Sequence, residues 1–282
     1  MCTHARSGLS PLLLALLFIV AGAAVLAGRP SFASADFREF DARAALDYSQ
    51  AALRRTLSDH EFLDTEGRTV RLSDFEGQPV LINMVYSACD HTCTISTKHL
   101  SRIAQIARNA LGQDSFTILT IGFDTARDNP ETMRLYARQQ GMSNAANWKF
   151  LSTDQATIDA LSAEMGFIYY ATPRGFDHMA KVTVLDQDRV VYRHVYGEVF
   201  ETPLLVEPLK ELVFDARRAE SPFEALGARV RLFCTTYDAA ADRYYFDYSL
   251  FVGMGVGLTV ILSTLWFLIH EFRRRPRKRR LA

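Results

Sequence analysis

Two long apolar runs bracket a chain whose middle alternates between short apolar blocks and helical periodicity. Residues 9–27 are almost wholly apolar, and residues 248–269 contain no charged side chain. The second run is long enough to span a bilayer, which takes roughly 20 apolar residues. Between them, residues 80–86, 116–123 and 148–152 are short, continuous and apolar, and read as buried strands. Helices are predicted over 93–111, where Ile95, Leu100, Ile103, Ile106 and Ala107 form an apolar stripe, and over 130–140, where Pro130 suits a first turn. Further helices are expected over 158–165 and 204–214. Residues 61–72 read as a hairpin turning at Gly67, 73–79 as a turn, and 181–185 with 190–195 as a second hairpin around Asp186-Gln187-Asp188.

Strands and helices that alternate and then give way to a hairpin predict an α/β domain with a mixed sheet flanked by helices, over residues 58–215. Residues 36–57, rich in Ala, Asp and Arg, are expected to form a helical lead. Residues 216–247 connect the domain to the apolar run, with a strand pair expected at 230–238 and 243–247. A transmembrane helix over 248–269 and a basic tail over 270–282 complete the chain. Residues 1–35 resemble a secretory signal: Arg6, an apolar run, then Ala33-Ser34-Ala35 before Asp36. An uncleaved N-terminal anchor is the alternative.

Charge sharpens this reading. The chain holds 32 basic and 32 acidic residues, but nine of the basic and one of the acidic ones lie outside 36–247, leaving that stretch at −8. An acidic body argues against nucleic acid as a partner. The run Arg273-Arg274-Arg275-Pro276-Arg277-Lys278-Arg279-Arg280 follows the span directly and marks its cytoplasmic side. The expected location is therefore the inner (plasma) membrane, with one C-terminal span and an extracytoplasmic (periplasmic) main domain. Disulfides are permissible there. Cys2 leaves with the signal, so Cys89, Cys93 and Cys234 remain.

The candidate chemistry sits in Ser87-Ala88-Cys89-Asp90-His91-Thr92-Cys93-Thr94, between a predicted strand and a predicted helix. Three intervening residues set the thiols about one helical turn apart. A thiol at a helix N-terminus ionises more easily than the ordinary value of about 8.5. Such a pair can bind a soft metal, cycle between dithiol and disulfide, or both. A dithiol at a strand-to-helix junction in a mixed sheet suggests a thioredoxin-like fold. Copper(I) favours thiolate and imidazole, and His178, just before strand 181–185, is the candidate third donor. Of Asp124 and Asp128, one is expected to cap the helix at Pro130 and the other to order the loop. Met84 and Met179 are expected to fill the core, His91 to be exposed, and Cys234 to be a buried unpaired thiol.

At this point the chain resembles the Sco/SenC family of thioredoxin-like copper proteins of cytochrome oxidase assembly. The resemblance rests on residues 67–83, on Cys89-x-x-x-Cys93, on Gly122-Phe123-Asp124-Thr125-Ala126-Arg127-Asp128-Asn129-Pro130-Glu131 and on Asp177-His178. It implies copper, as Cu(I) or also Cu(II), bound by Cys89, Cys93 and His178. It further implies the copper-centre subunit of cytochrome c oxidase as recipient, and a thiol reductant or another copper chaperone as partner. Asp90 and Thr94 depart from the prolines the family places after its two cysteines. The alternative is a thiol–disulfide oxidoreductase with Cys89 attacking and Cys93 resolving. An assembly adaptor with an incidental dithiol is a third reading.

Overall fold

The computed structural model describes residues 40–89, 92–173, 175–215 and 221–274. The expected signal and the basic tail from residue 275 onward lie outside them. The helical lead is nine residues, α1 (Ala42–Gln50), started by the Asp41 carboxylate, which accepts the Arg43 and Ala44 amides at 2.9 and 3.0 Å. A small antiparallel pair follows, β1 (Glu61–Leu63) and β2 (Thr69–Arg71), with Gly67 at φ +78 in the turn, then a 3-10 turn over Leu72–Phe75.

The body alternates strand and helix: β3 (Val80–Val85), α2 (Thr92–Leu111), β4 (Thr117–Gly122), α3 (Pro130–Gln139), β5 (Trp148–Leu151) and α4 (Gln155–Met165). An unexpected hairpin comes next, β6 (Tyr169–Thr172) and β7 (Gly175–His178), before β8 (Lys181–Leu185), β9 (Val191–Tyr196) and α5 (Thr202–Val213). The main sheet has the order β5-β4-β3-β8-β9. β3, β4 and β5 are parallel neighbours, and β8 and β9 return antiparallel. Every residue of β3 and β4 is buried, as central strands covered on both faces require. α2 inserts Thr97, Leu100, Ile103, Ala104 and Ala107 into the core.

The pairing of β3 with β8 positions the site. Asn83 stands opposite Val182, so the start of β8 lies beside the end of β3. The hairpin that feeds β8 therefore arrives next to the loop carrying the dithiol.

Beyond α5 the expected strand over 230–238 is corrected. α6 (Pro222–Cys234) is helical, and only Thr235–Asp238 is strand (β10), paired with β11 (Arg243–Phe246). Pro222 occupies the first turn and the Ser221 hydroxyl accepts the Glu224 amide at 3.2 Å, so this start signal outweighs the β-propensity of Val230 and Phe233. Thr235 and Thr236 then favour the strand. α7 (Ser249–Arg274) is long and apolar enough to cross a membrane and buries no residue.

Two buried basic groups brace the antiparallel edge. The Lys181 Nζ donates to Ser49 Oγ, Met165 O and Gly166 O at 3.0, 2.9 and 2.9 Å, tying α1 and the end of α4 to β8, while burial pulls its amine down to about 7. His194 Nδ1 lies 3.0 Å from Thr183 Oγ1, and burial, helped by the Lys181 charge, holds its ring down to about 3. The unfolded ring takes a proton near 6.5 that the folded one refuses until about 3. Stability from this residue is thus complete above pH 6.5 and falls as pH drops through that window. Urea unfolding at pH 7 and pH 4.5 should show His194→Gln losing less stability on acidification than the parent, by roughly 2 kcal/mol.

Candidate metal centre

The loop after β3 is fastened before it reaches the first cysteine. Asp128, 1 % exposed, accepts the Ser87 amide at 3.0 Å, the Ser87 hydroxyl, and the Asp124 amide at 3.0 Å. Burial raises its pKa against these bonds. Asn129, not either aspartate, caps α3, its Oδ1 accepting the Thr132 amide at 3.0 Å. Asp128 is thus the loop-ordering residue of the pair, and the expected aspartate cap is corrected.

Cys89 then sits in a turn, its amide donating to Tyr86 O at 3.1 Å, and is half-buried. Cys93 enters the first turn of α2 and is 2 % exposed. Its amide points at Cys89 Sγ at 3.4 Å, and the two thiols are close enough to hydrogen-bond. The first turn of α2 is bolted to α3 by the Tyr136 hydroxyl, which donates to Cys93 O at 3.0 Å and meets Thr97 Oγ1 at 2.9 Å. Asp90 and His91 lie outside the described residues.

Helix-terminal activation, expected from the spacing, does not govern Cys93. Burial pushes its thiol well above the ordinary range, and the Tyr86 backbone amide offsets only part of this. Of the two sulfurs, Cys89 is the more accessible.

His178 was expected in a loop and instead ends β7. Its ring packs among Phe123, Phe167 and Tyr86, with centroids 5.4, 5.5 and 6.2 Å away, and Nδ1 faces Met179 O at 3.3 Å. Burial lowers its pKa, so the imidazole is neutral at neutral pH, the form that ligates metal. Among the described residues, no three His, Cys, Asp or Glu side chains converge closely enough to hold a metal ion.

Tyr86 adjoins both parts. Its hydroxyl interacts with the Cys89 thiol and the Phe176 backbone, its ring meets Phe176 at 5.3 Å, and burial foremost pushes the phenol up to about 12. A Cβ on Gly175, at φ +124, would lie 2.8 Å from the Tyr86 hydroxyl, so a glycine there lets the hairpin close over the ring. A cleft of about 490 Å³ opens beside it, lined by Ala88, Asp124, Arg127, Thr172 and Phe176 among others. Sequence reasoning missed Tyr86 and this aromatic shell; the density of rings in Phe167-Ile168-Tyr169-Tyr170 was the available signal. Met84 is buried in the core, as expected, and Cys234 is a buried thiol closing α6.

A family model described as SCO1/SenC matches residues 49–213, more than half of the chain. The chain belongs to the SCO1/SenC family. Among solved structures, a SCO1/SenC family lipoprotein from Bacillus anthracis is 17% identical, with 57% of this chain and 96% of that one covered and a TM-score of 0.51. BsSco, a member of the Sco family of cytochrome c oxidase assembly proteins in which a disulfide switch was identified, is 18% identical, with 57% and 95% covered and a TM-score of 0.50. ScoI of Bradyrhizobium japonicum, solved with copper bound, is 22% identical, with 56% and 99% covered and a TM-score of 0.48. For the first two of these, at 17 and 18% identity, the likeness is one of fold, thioredoxin-like with a mixed sheet. A search of curated proteins finds no match.

Proposed function

We propose that this SCO1/SenC chain is a membrane-tethered, extracytoplasmic copper chaperone that delivers copper to the copper centre of cytochrome c oxidase. The observation that carries the reading is the pairing of the Cys89 and Cys93 sulfurs at the mouth of a family fold, with His178 on the neighbouring hairpin. Two thiolates suit Cu(I), and a neutral imidazole completes a three-donor set. Loading expels the thiol protons and draws Tyr86 off Cys89. α7 supplies the tether.

The hairpin of β10 and β11 supports a defined presentation of the site. Its turn lies against the His99 and Arg102 part of α2, through the Arg102–Asp242 pair at 3.5 Å, and its open end lies near Asn109–Gly112. Lys210 Nζ donating to Thr235 O at 2.9 Å and the Tyr244 hydroxyl donating to Glu207 at 2.9 Å fix it to α5. The tether thus leaves from the C-terminal end of a 20-residue helix whose first turn holds Cys93. Such a helix is about 30 Å long, so the dithiol is presented well away from the bilayer.

A second reading, thiol–disulfide exchange, is favoured by the contrast between a half-buried Cys89 and a buried Cys93. Cys89 thiolate would attack a partner disulfide and Cys93 would displace the mixed disulfide, leaving two partner thiols and a Cys89–Cys93 disulfide. His178→Ala separates the readings. As a chaperone, the variant loses Cu(I) affinity by at least about tenfold while its exchange rate with a model disulfide is unchanged. Unaltered Cu(I) affinity in a competition titration would remove His178 from the site and favour exchange.

A further inference from the structure

We infer that α6 lies on the bilayer surface, its exposed apolar stripe set among the lipid headgroups as a second membrane contact beside the span. The inference rests on the membrane-tethered reading of α7. Phe223, Leu226 and Phe233 are 85, 60 and 82 % exposed. With the half-buried Val230 they recur at the three- and four-residue spacing that places them on one side of a helix. Cys234 alone is buried among the residues of α6, so the stripe finds no core within the described chain.

What places lipid against it is the route of the chain. The Asp247 amide donates to Cys234 O at 2.7 Å, and the Asp247 carboxylate accepts the amide of Ser249, the first residue of α7, at 2.8 Å. The C-terminal end of α6 is therefore one hydrogen bond from the residue that precedes the span. The rings of Phe246, Tyr248 and Phe251 cluster there, with centroids 4.8 and 6.0 Å apart, as aromatic residues do at a membrane boundary. From Phe233 back to Phe223 the stripe runs about 15 Å. Arg229 is exposed on the border of the stripe and Glu224 points away on the far side of the helix, the distribution an interfacial helix shows towards anionic headgroups.

The full chain reconstituted in phosphatidylethanolamine–phosphatidylglycerol nanodiscs provides the test, with benzoylphenylalanine placed singly at positions 223, 233, 224 and 258. Lipid adducts at 223, 233 and 258 with none at 224 are expected. Adducts to a second copy or to no partner at 223 and 233, with lipid still labelled from 258, would overturn the inference and make the stripe a protein-docking face. Absence of lipid labelling at 258 would instead remove the span, and the inference with it.

Discussion

Cys89→Ser should weaken Cu(I) binding by about a thousandfold, roughly 4 kcal/mol, because it deletes one of only two soft donors and a hydroxyl is a poor ligand for a soft ion. Competition against a Cu(I) chelator under anaerobic conditions measures this. Cys93→Ser should lose as much affinity but also cost stability, since a hydroxyl replaces a thiol at a site 2 % exposed; burying it without a full partner costs about 1–3 kcal/mol. Urea unfolding therefore distinguishes the two variants, with Cys89→Ser close to the parent. Oxidation of the pair to a disulfide should have the same effect on copper as both substitutions, restored by a dithiol reductant. A Cys89→Ser protein that holds Cu(I) as tightly as the parent would end the chaperone reading.

The sheet was legible because its strands are buried on both faces and carry their own signal. Residues 80–86 and 116–123 were expected as strands, and Val80–Val85 and Thr117–Gly122 are observed. The β6–β7 hairpin was not expected. Tyr169–Thr172 and Gly175–His178 are half-buried without clean alternation, so the period-2 pattern is missing although the aromatic content is high. α6 failed differently. Val230-Arg231-Leu232 alternates like an edge strand, and only the Ser221-Pro222 start well upstream fixes the helix. That Phe223, Leu226 and Phe233 remain exposed is not visible in the sequence, because exposure depends on what packs against them.

At the site, spacing revealed the two thiols and chain order offered His178, but neither revealed their environments. Cys93 reads as a helix-terminal, easily ionised thiol; only the packing of Tyr136 and the core around it shows that burial dominates. The contact of Tyr86 with the hairpin depends on Gly175, a glycine two residues before Asp177-His178 that no sequence signal marked. Asn129-Pro130, by contrast, is a plain helix-start signal that outranked Asp124 and Asp128.

Gly122→Ala is expected to destabilise the protein by about 3 kcal/mol and to loosen the dithiol together with the fold. Gly122 ends β4, and an added Cβ would lie 2.5 Å from Asp128 Cβ, 2.8 Å from Met133 Sδ and 2.9 Å from Asp128 Cγ. The methionine can yield, since its thioether is flexible. The aspartate cannot, because its carboxylate is held by Ser87 and the Asp124 amide. Overpacking alone costs about 1–3 kcal/mol, and a displaced carboxylate forfeits charge-assisted bonds of about 1.5–3 kcal/mol each. Once Ser87 is released, the segment from Tyr86 to Cys89 loses its anchor to the loop that follows β4, so Cys93 becomes easier to reach. Two measurements on one protein therefore move together: the urea midpoint falls, and alkylation of Cys93 by iodoacetamide accelerates severalfold. A lowered midpoint with unchanged Cys93 alkylation would show that Asp128 stabilises the fold without ordering the dithiol.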